Sequence, residues 1–359
     1  MMKTFNFMDQ KPSVEALRVL AVTNMFPAPN SPHAGRFIEQ QIEGLRRIGV
    51  DVKVLFIDRL QHGMRVYADL PSKIRASMVE FQPHVVHAMY GGIMARVVAQ
   101  VVTDRPVVVS FHGSDLLGQP FERLGRRFFA ACGVMASKQA AKRCSGVVLV
   151  AEHLRTSLPW SKRTSHVQVI PCGIDLALFR PLDRDQCCKE LGWRQETFHI
   201  LFQNTGDPVK RPELAYAALD YLKETLGVDA EIHELRGVNY EQVPVWLSAS
   251  DALLLTSFHE GSPTIVKEAL ACTVPVVSVP VGDVPKRIEG IRGCYLAKPT
   301  PADLAEKLKK IALSRMRIQA TEAIDSLSID HCARDLASFY LELLQAHNVR
   351  SLHEPVPAG

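Results

Sequence analysis

At 359 residues the chain exceeds what one hydrophobic core usually organises, so two domains are expected. An apolar fraction of 47%, a charged fraction of 22% and a formal charge of +4 describe an ordinary globular protein. They argue against a nucleic-acid binder, since no aromatic residues alternate with a basic run.

The eight cysteines form no CxxC pair, and the adjacent Cys187 and Cys188 match no zinc pattern. A reduced, cytoplasmic compartment is therefore expected. The segment before Leu17 lacks the apolar centre of a signal peptide, and no run approaches the roughly 18 apolar residues that span a bilayer.

Short β-branched runs alternate with Gly/Pro-bearing loops and amphipathic stretches. Strands are expected at Leu17–Val22, Val52–Ile57, His84–Ala88, Pro106–Ser110, Gly146–Ala151 and Val167–Ile170, with a helix opening near Gly35. A second set covers His199–Gln203, Ala230–Glu234, Ala252–Thr256 and Val274–Val279, with helices opening near Pro212, Val243, Pro263 and Pro301. The last amphipathic stretch is His331–Ala346. Strands buried on both faces and alternating with helices predict doubly wound parallel sheets. The expected organisation is an α/β chain of two facing Rossmann-like domains, 15–172 and 173–327, with a terminal helix over 328–348 packing back on the first. Ligands of such sheets bind beyond the carboxyl ends of the strands.

Glu260-Gly-Ser-Pro-Thr-Ile-Val-Lys-Glu268 follows a buried strand. Ser262 suits an N-cap and Pro263 the first helical position, so the amides of Thr264, Ile265 and Val266 would offer an anion site. Gly261 would let a ligand approach the backbone. Glu268 lies roughly 9 Å along the helix from the cap at about 1.5 Å per residue. That matches the reach from a diphosphate to its ribose, with Glu260 on the sugar side. The alternative is a capped surface helix carrying two ordinary glutamates.

Lys210, in Gly206-Asp-Pro-Val-Lys-Arg-Pro, stands near a helix start, where a cation is disfavoured without an anion to hold. A cation there would stabilise a departing diphosphate. His112, in Ser110-Phe-His-Gly-Ser-Asp115, directly follows a first-domain strand, and Asp115 reads as a loop or capping residue.

The Glu260–Glu268 segment resembles the E-x7-E motif of glycosyltransferase family 4. The likeness extends from about Leu17 to about Leu344 and includes Pro275-Val-Val-Ser-Val-Pro-Val-Gly-Asp-Val-Pro285. It implies a GT-B fold with the donor in the interdomain cleft, a UDP- or GDP-sugar donor, retention at the anomeric carbon, and no cofactor or metal ion. It further implies that Glu268 binds ribose, that Glu260 and His112 face the donor sugar, and that Lys210 binds phosphate. Gly35 would lie near the phosphates, although a plain turn residue fits it equally, and Val238 would contact the base. The chain departs from the family pattern at Thr205, where arginine is usual, at Cys172 in Pro171-Cys-Gly-Ile-Asp175, and at Lys286. Arg211 is expected to supply the charge missing at Thr205.

A saccharide, a lipid-linked glycan or a small molecule are all open as acceptor. Phe121-Glu-Arg-Leu-Gly-Arg-Arg-Phe-Phe129 is basic and aromatic, as a helix touching the inner membrane face would be, but an ordinary first-domain helix is favoured. A nucleotide-sugar epimerase on the same fold and a non-catalytic nucleotide-sugar-binding protein are the rival readings. A dehydrogenase is disfavoured, since no G-x-G-x-x-G follows the first strand.

Overall fold

The computed structural model describes residues 14–29, 31, 34–118, 124–163, 166–319 and 322–353. The first domain contains β1 (Arg18–Thr23), β2 (Asp51–Phe56), β3 (Val85–Ala88), β4 (Val107–Phe111), β5 (Gly146–Leu149) and β6 (Val167–Val169). Its helices are α1 (Arg36–Arg47), α2 (Arg59–His62), α3 (Leu70–Phe81), α4 (Gly92–Val101), α5 (Ser114–Leu117) and α6 (Leu124–Arg143). The six strands run in the order β2-β1-β3-β4-β5-β6, each pairing parallel. Central strands such as Val-Val-Val-Ser-Phe of β4 are buried throughout, because helices cover both faces of a parallel sheet.

The second domain follows with α7 (Arg184–Leu191), β7 (Phe198–Phe202), α8 (Pro212–Asp220), β8 (Ala230–Glu234), α9 (Val243–Ala249) and β9 (Ala252–Leu255). It continues with α10 (Thr264–Ala271), β10 (Val276–Ser278), α11 (Val284–Ile288), β11 (Tyr295–Leu296) and α12 (Pro301–Ser314). Strand order is β11-β10-β9-β7-β8, again all parallel. Each of the ten strands expected from the sequence is present. The eleventh, β11, has only two residues, neither of them buried, and leaves no periodic signal.

The short α13 (Glu322–Asp325) leads into α14 (Ile329–His353), which crosses back to the first domain. Leu336, Phe339, Tyr340 and Leu343 share one buried cluster with Leu17, Val19, Ile38 and Ile42. The Tyr340 hydroxyl lies 2.6 Å from His87 Nδ1, and His87 Nε2 lies 2.7 Å from Ser110 Oγ. Burial lowers the His87 pKa to about 3, so this link between helix and sheet is neutral. At the crossing, Ile174 N–H donates to the Leu327 carbonyl (2.8 Å) and Ile329 N–H to the Ile174 carbonyl (2.9 Å).

The basic aromatic segment falls partly in α6; residues 121–123 lie outside the described residues. Within α6, Phe128 and Phe129 of this segment are 68% and 69% exposed. Among the described residues no helix is long and apolar enough to cross a membrane.

Candidate active site

The loops at the carboxyl ends of β4, β7 and β9 bring residues of both domains together. A cavity of 280 Å³ lies between them, lined by Phe37, His112, Val150 and Cys172 from the first-domain side. Gln203, Lys210 and the run Glu260–Thr264 line it from the second.

Helix α10 opens at Thr264, one residue later than the sequence suggested. Pro263 is the cap residue, with extended backbone (φ −63°, ψ 120°), and Ser262 makes no capping bond. The Ser262 hydroxyl instead donates to Asp283 Oδ2 at 2.8 Å, while Arg287 holds the same carboxylate at 2.8 Å. The competing partner comes from the loop after β10, and a local capping rule does not reach it. The first amides of α10 still lack intrahelical partners, and Thr264, which opens the helix, lines the cavity.

Lys210 Nζ is 2.6 Å from Glu260 Oε1, and the two side chains are only 14% and 16% exposed. Gln203 Oε1 is 3.5 Å from the same ammonium. Cation and carboxylate, expected to hold different parts of one ligand, are thus paired with each other.

His112 is fixed on three sides. Its ring stacks on Tyr90 (centroids 5.6 Å apart, 12° between planes) and packs against Phe37 at 4.7 Å. Nε2 lies 3.0 Å from the Met89 carbonyl, which can only accept, so Nε2 carries the proton and Nδ1 faces Cys172 Sγ at 3.6 Å. Burial lowers its pKa to about 4, leaving a neutral ring at pH 7. Asp115 sets the loop, accepting from the amides of Gly91, His112 and Gly113, each at 3.0 Å.

Glu268 is 4% exposed and outside the cavity lining. Burial raises its pKa to about 7, against the opposing pull of the Tyr240 hydroxyl and Lys267. Tyr240 donates to Glu268 Oε1 at 3.2 Å, accepts from Gln40 of α1, and lies beneath the Arg36 guanidinium. The carboxylate that the family resemblance assigns to a ribose is thus engaged by a tyrosine. Val238, expected against the base, lies outside the cavity lining, and Tyr240 two residues on is the residue of that segment that meets Glu268.

The role expected of Arg211 needs correction. Its Nε donates to the Thr256 carbonyl (2.6 Å) and its Nη2 to that of Ser257 (3.4 Å), closing off the end of β9, and it is absent from the lining. Residue 211 also has φ +50°, a left-handed backbone that glycine adopts most easily. The loop bearing Thr205 is instead approached by Arg236, whose Nη2 would stand 3.6 Å from a Cβ on Gly206. Lys267, which no local sequence signal marks, is 1% exposed and donates to the Cys172 carbonyl at 2.7 Å, tying the two domains together.

Two glycines have no freedom to change. Gly35 caps α1 at φ +70°, and a Cβ there would meet the Met25 carbonyl carbon at 2.3 Å, so the turn alone dictates glycine. A Cβ on Gly261 would stand 1.9 Å from the His112 carbonyl oxygen across the cleft. Because that neighbour is backbone, Gly261→Ala must push the domains apart. Transfer is expected to fall at least tenfold with helix content unchanged; wild-type rates together with a wild-type circular dichroism spectrum would refute this contact.

A second cavity, 670 Å³, opens on the first domain beside Tyr90 and Ser114 and includes Arg59, Tyr67 and Phe129.

Two parallel α/β domains meeting on such a strip define the GT-B class of glycosyltransferases. The chain belongs to glycosyltransferase family 4: that family's model matches residues 22–178, and the model "Glycosyl transferases group 1" matches residues 194–313. A relative in Bacillus subtilis (strain 168), TuaC, assigned as a teichuronic acid biosynthesis glycosyltransferase, is 25% identical over 358 residues, covering 82% of this chain and 89% of its own. Sucrose-phosphate synthase of Thermosynechococcus elongatus superposes with a TM-score of 0.68 at 14% identity, over 94% of this chain and 100% of that one. Anabaena HepE, solved with UDP-glucose, gives 0.58 at 18% identity over 94% and 100%. At these identities the two structures speak for the fold alone.

Proposed function

We propose that this glycosyltransferase takes its sugar from a nucleoside diphosphate sugar, retains the anomeric configuration, and needs no metal ion at the donor site. The Lys210–Glu260 pair at the opening of α10 is the observation that carries this reading. Lys210 and the first amides of the helix neutralise the diphosphate, Glu260 and the neutral His112 orient the sugar, and Glu268 accepts from the ribose once Tyr240 swings away. Arg236 is better placed than Arg211 to add a second charge near Thr205. In a front-face displacement the acceptor hydroxyl attacks from the leaving-group side and passes its proton to the departing phosphate. Among the described residues of the cavity lining, Glu260 is paired with Lys210 and the His112 pKa is lowered to about 4, so neither is poised as a strong base, in accord with that course. The UDP-glucose complex of HepE and the teichuronic acid assignment of TuaC support a nucleotide-sugar donor and an acceptor in polysaccharide synthesis. The 670 Å³ cavity is the acceptor side in this reading.

A thermal-shift panel of UDP-, GDP- and ADP-sugars tests the donor. One base series is expected to raise Tm by several degrees, since ligand at about 100 times Kd stabilises by about 2.7 kcal/mol. No shift with any of them would overturn the donor assignment. Product analysis with the stabilising donor then separates transfer from epimerisation, which releases nucleotide without an acceptor, and from binding alone, which releases nothing.

A further inference from the structure

On the edge of the second sheet, away from the cavity lining, three potential ligand side chains converge. His199 of β7 stands directly opposite Glu231 of β8, and His233 lies two residues further along the same strand. Alternation along a strand puts Glu231 and His233 on one face. His199 Nδ1 is 2.9 Å from His233 Nε2, Glu231 Oε2 is 3.9 Å from that same nitrogen, and the three ligand atoms lie within 4.8 Å of one another.

The surroundings orient these groups. His199 Nε2 is 2.7 Å from the Arg194 carbonyl, so it carries the proton, and the Nδ1 lone pair is directed into the cluster. A backbone carbonyl holding the far nitrogen is the usual outer partner of a metal-bound histidine. Trp193 stacks on His233 with centroids 3.5 Å apart and 11° between planes, and Trp246 braces Trp193 edge-on at 5.4 Å. His199 is fully buried, His233 is 16% exposed at its side chain and Glu231 43%, so the carboxylate stands at the solvent mouth.

We propose that His199, His233 and Glu231 form a binding site for a divalent first-row transition ion such as zinc, which pins the edge strand β8 to β7. Two imidazole nitrogens on one tetrahedral ion, each about 2.0–2.1 Å from it, stand about 3.3 Å apart. The observed 2.9 Å therefore opens by a few tenths of an ångström. The proton on His233 Nε2 moves to Nδ1 of the same ring, Glu231 rotates away from Arg194 (now 3.0 Å distant), and water completes the shell. Imidazole and carboxylate ligands suit zinc, cobalt(II) and nickel(II) over calcium or magnesium. The ion's role is structural; donor binding does not pass through it.

Cobalt(II) is the probe, because the chain also holds eight free cysteines and a cobalt spectrum distinguishes thiolate from imidazole ligation. Equilibrium dialysis of the full chain is expected to give one cobalt(II) per molecule. Tryptophan fluorescence should be quenched through Trp193, with no sulfur-to-cobalt charge-transfer band. Glu231→Gln, at a partly exposed position, should weaken binding at least tenfold, and His233→Ala should abolish it. Failure to bind one equivalent, a thiolate band, or unchanged affinity in Glu231→Gln would each overturn the site. The Glu231→Gln result decides even where His233→Ala fails to fold.

Discussion

Lys210→Ala is expected to lower kcat by about 10²–10³-fold, the usual consequence of removing one preorganised group from developing negative charge. The donor KM should move much less, because the charge to be stabilised grows as the diphosphate leaves. The ammonium sits 2.6 Å from Glu260 with 14% of its side chain exposed, so the variant also strands a largely buried carboxylate. Kinetics therefore need to be read well below the variant's own Tm. Arg211→Ala provides the contrast: its guanidinium serves the Thr256 and Ser257 carbonyls, so the loss should appear in Tm more than in kcat. A K210A variant turning over at the wild-type rate would sink the phosphate assignment, and with it the catalytic reading of the Lys210–Glu260 pair.

The fold was legible because the central strands β1, β3, β4, β5, β7, β9 and β10 are buried along nearly their whole length and read as apolar runs. The partly buried β2, β6 and β8 were placed by the alternation of strands with helices. Legibility ended where partners are distant in sequence. Ser262 looks like a local cap but bonds to Asp283, 21 residues on. Arg211 looks like a free cation at a helix start but is taken up by carbonyls 45 and 46 residues away. Tyr240 stands two residues from Val238, yet nothing local shows that Gln40, 200 residues earlier, helps hold its hydroxyl against Glu268. The histidine pair is a further case: the two residues lie 34 positions apart and meet only through the register of β7 and β8. What the sequence conveyed well was the type of chemistry at α10. It did not reveal which of those groups pair with one another.

Glu268→Gln is expected to weaken the nucleotide sugar that stabilises the protein most by about 10- to 100-fold in Kd, equivalent to the ~1.5–3 kcal/mol of hydrogen bonding to a charged acceptor. The same residue should give donor binding a distinctive pH dependence. Burial holds the Glu268 pKa at about 7 in the folded chain, against 4.5 for an ordinary glutamate. A carboxyl raised in this way favours the folded state fully below pH 4.5; that contribution declines as pH rises and is gone once the group has ionised above about 7. Free-protein stability should therefore fall between pH 5 and 7 by an amount on the order of 3 kcal/mol from this group, and Glu268→Gln should flatten that slope. Ribose hydroxyls donate to the ionised form, so donor binding draws the pKa down and releases a proton. Affinity should thus increase from pH 6 to 8, by at most tenfold per unit, in the wild type alone. A UDP-sugar diphosphate keeps its charge across that range, and His112, lowered to about 4, stays neutral, so neither supplies a competing titration. Calorimetry in two buffers of different ionisation enthalpy measures the released proton directly. A pH-independent Kd in the wild type, matched by Glu268→Gln, would remove Glu268 from the donor site and leave Tyr240 as its permanent partner.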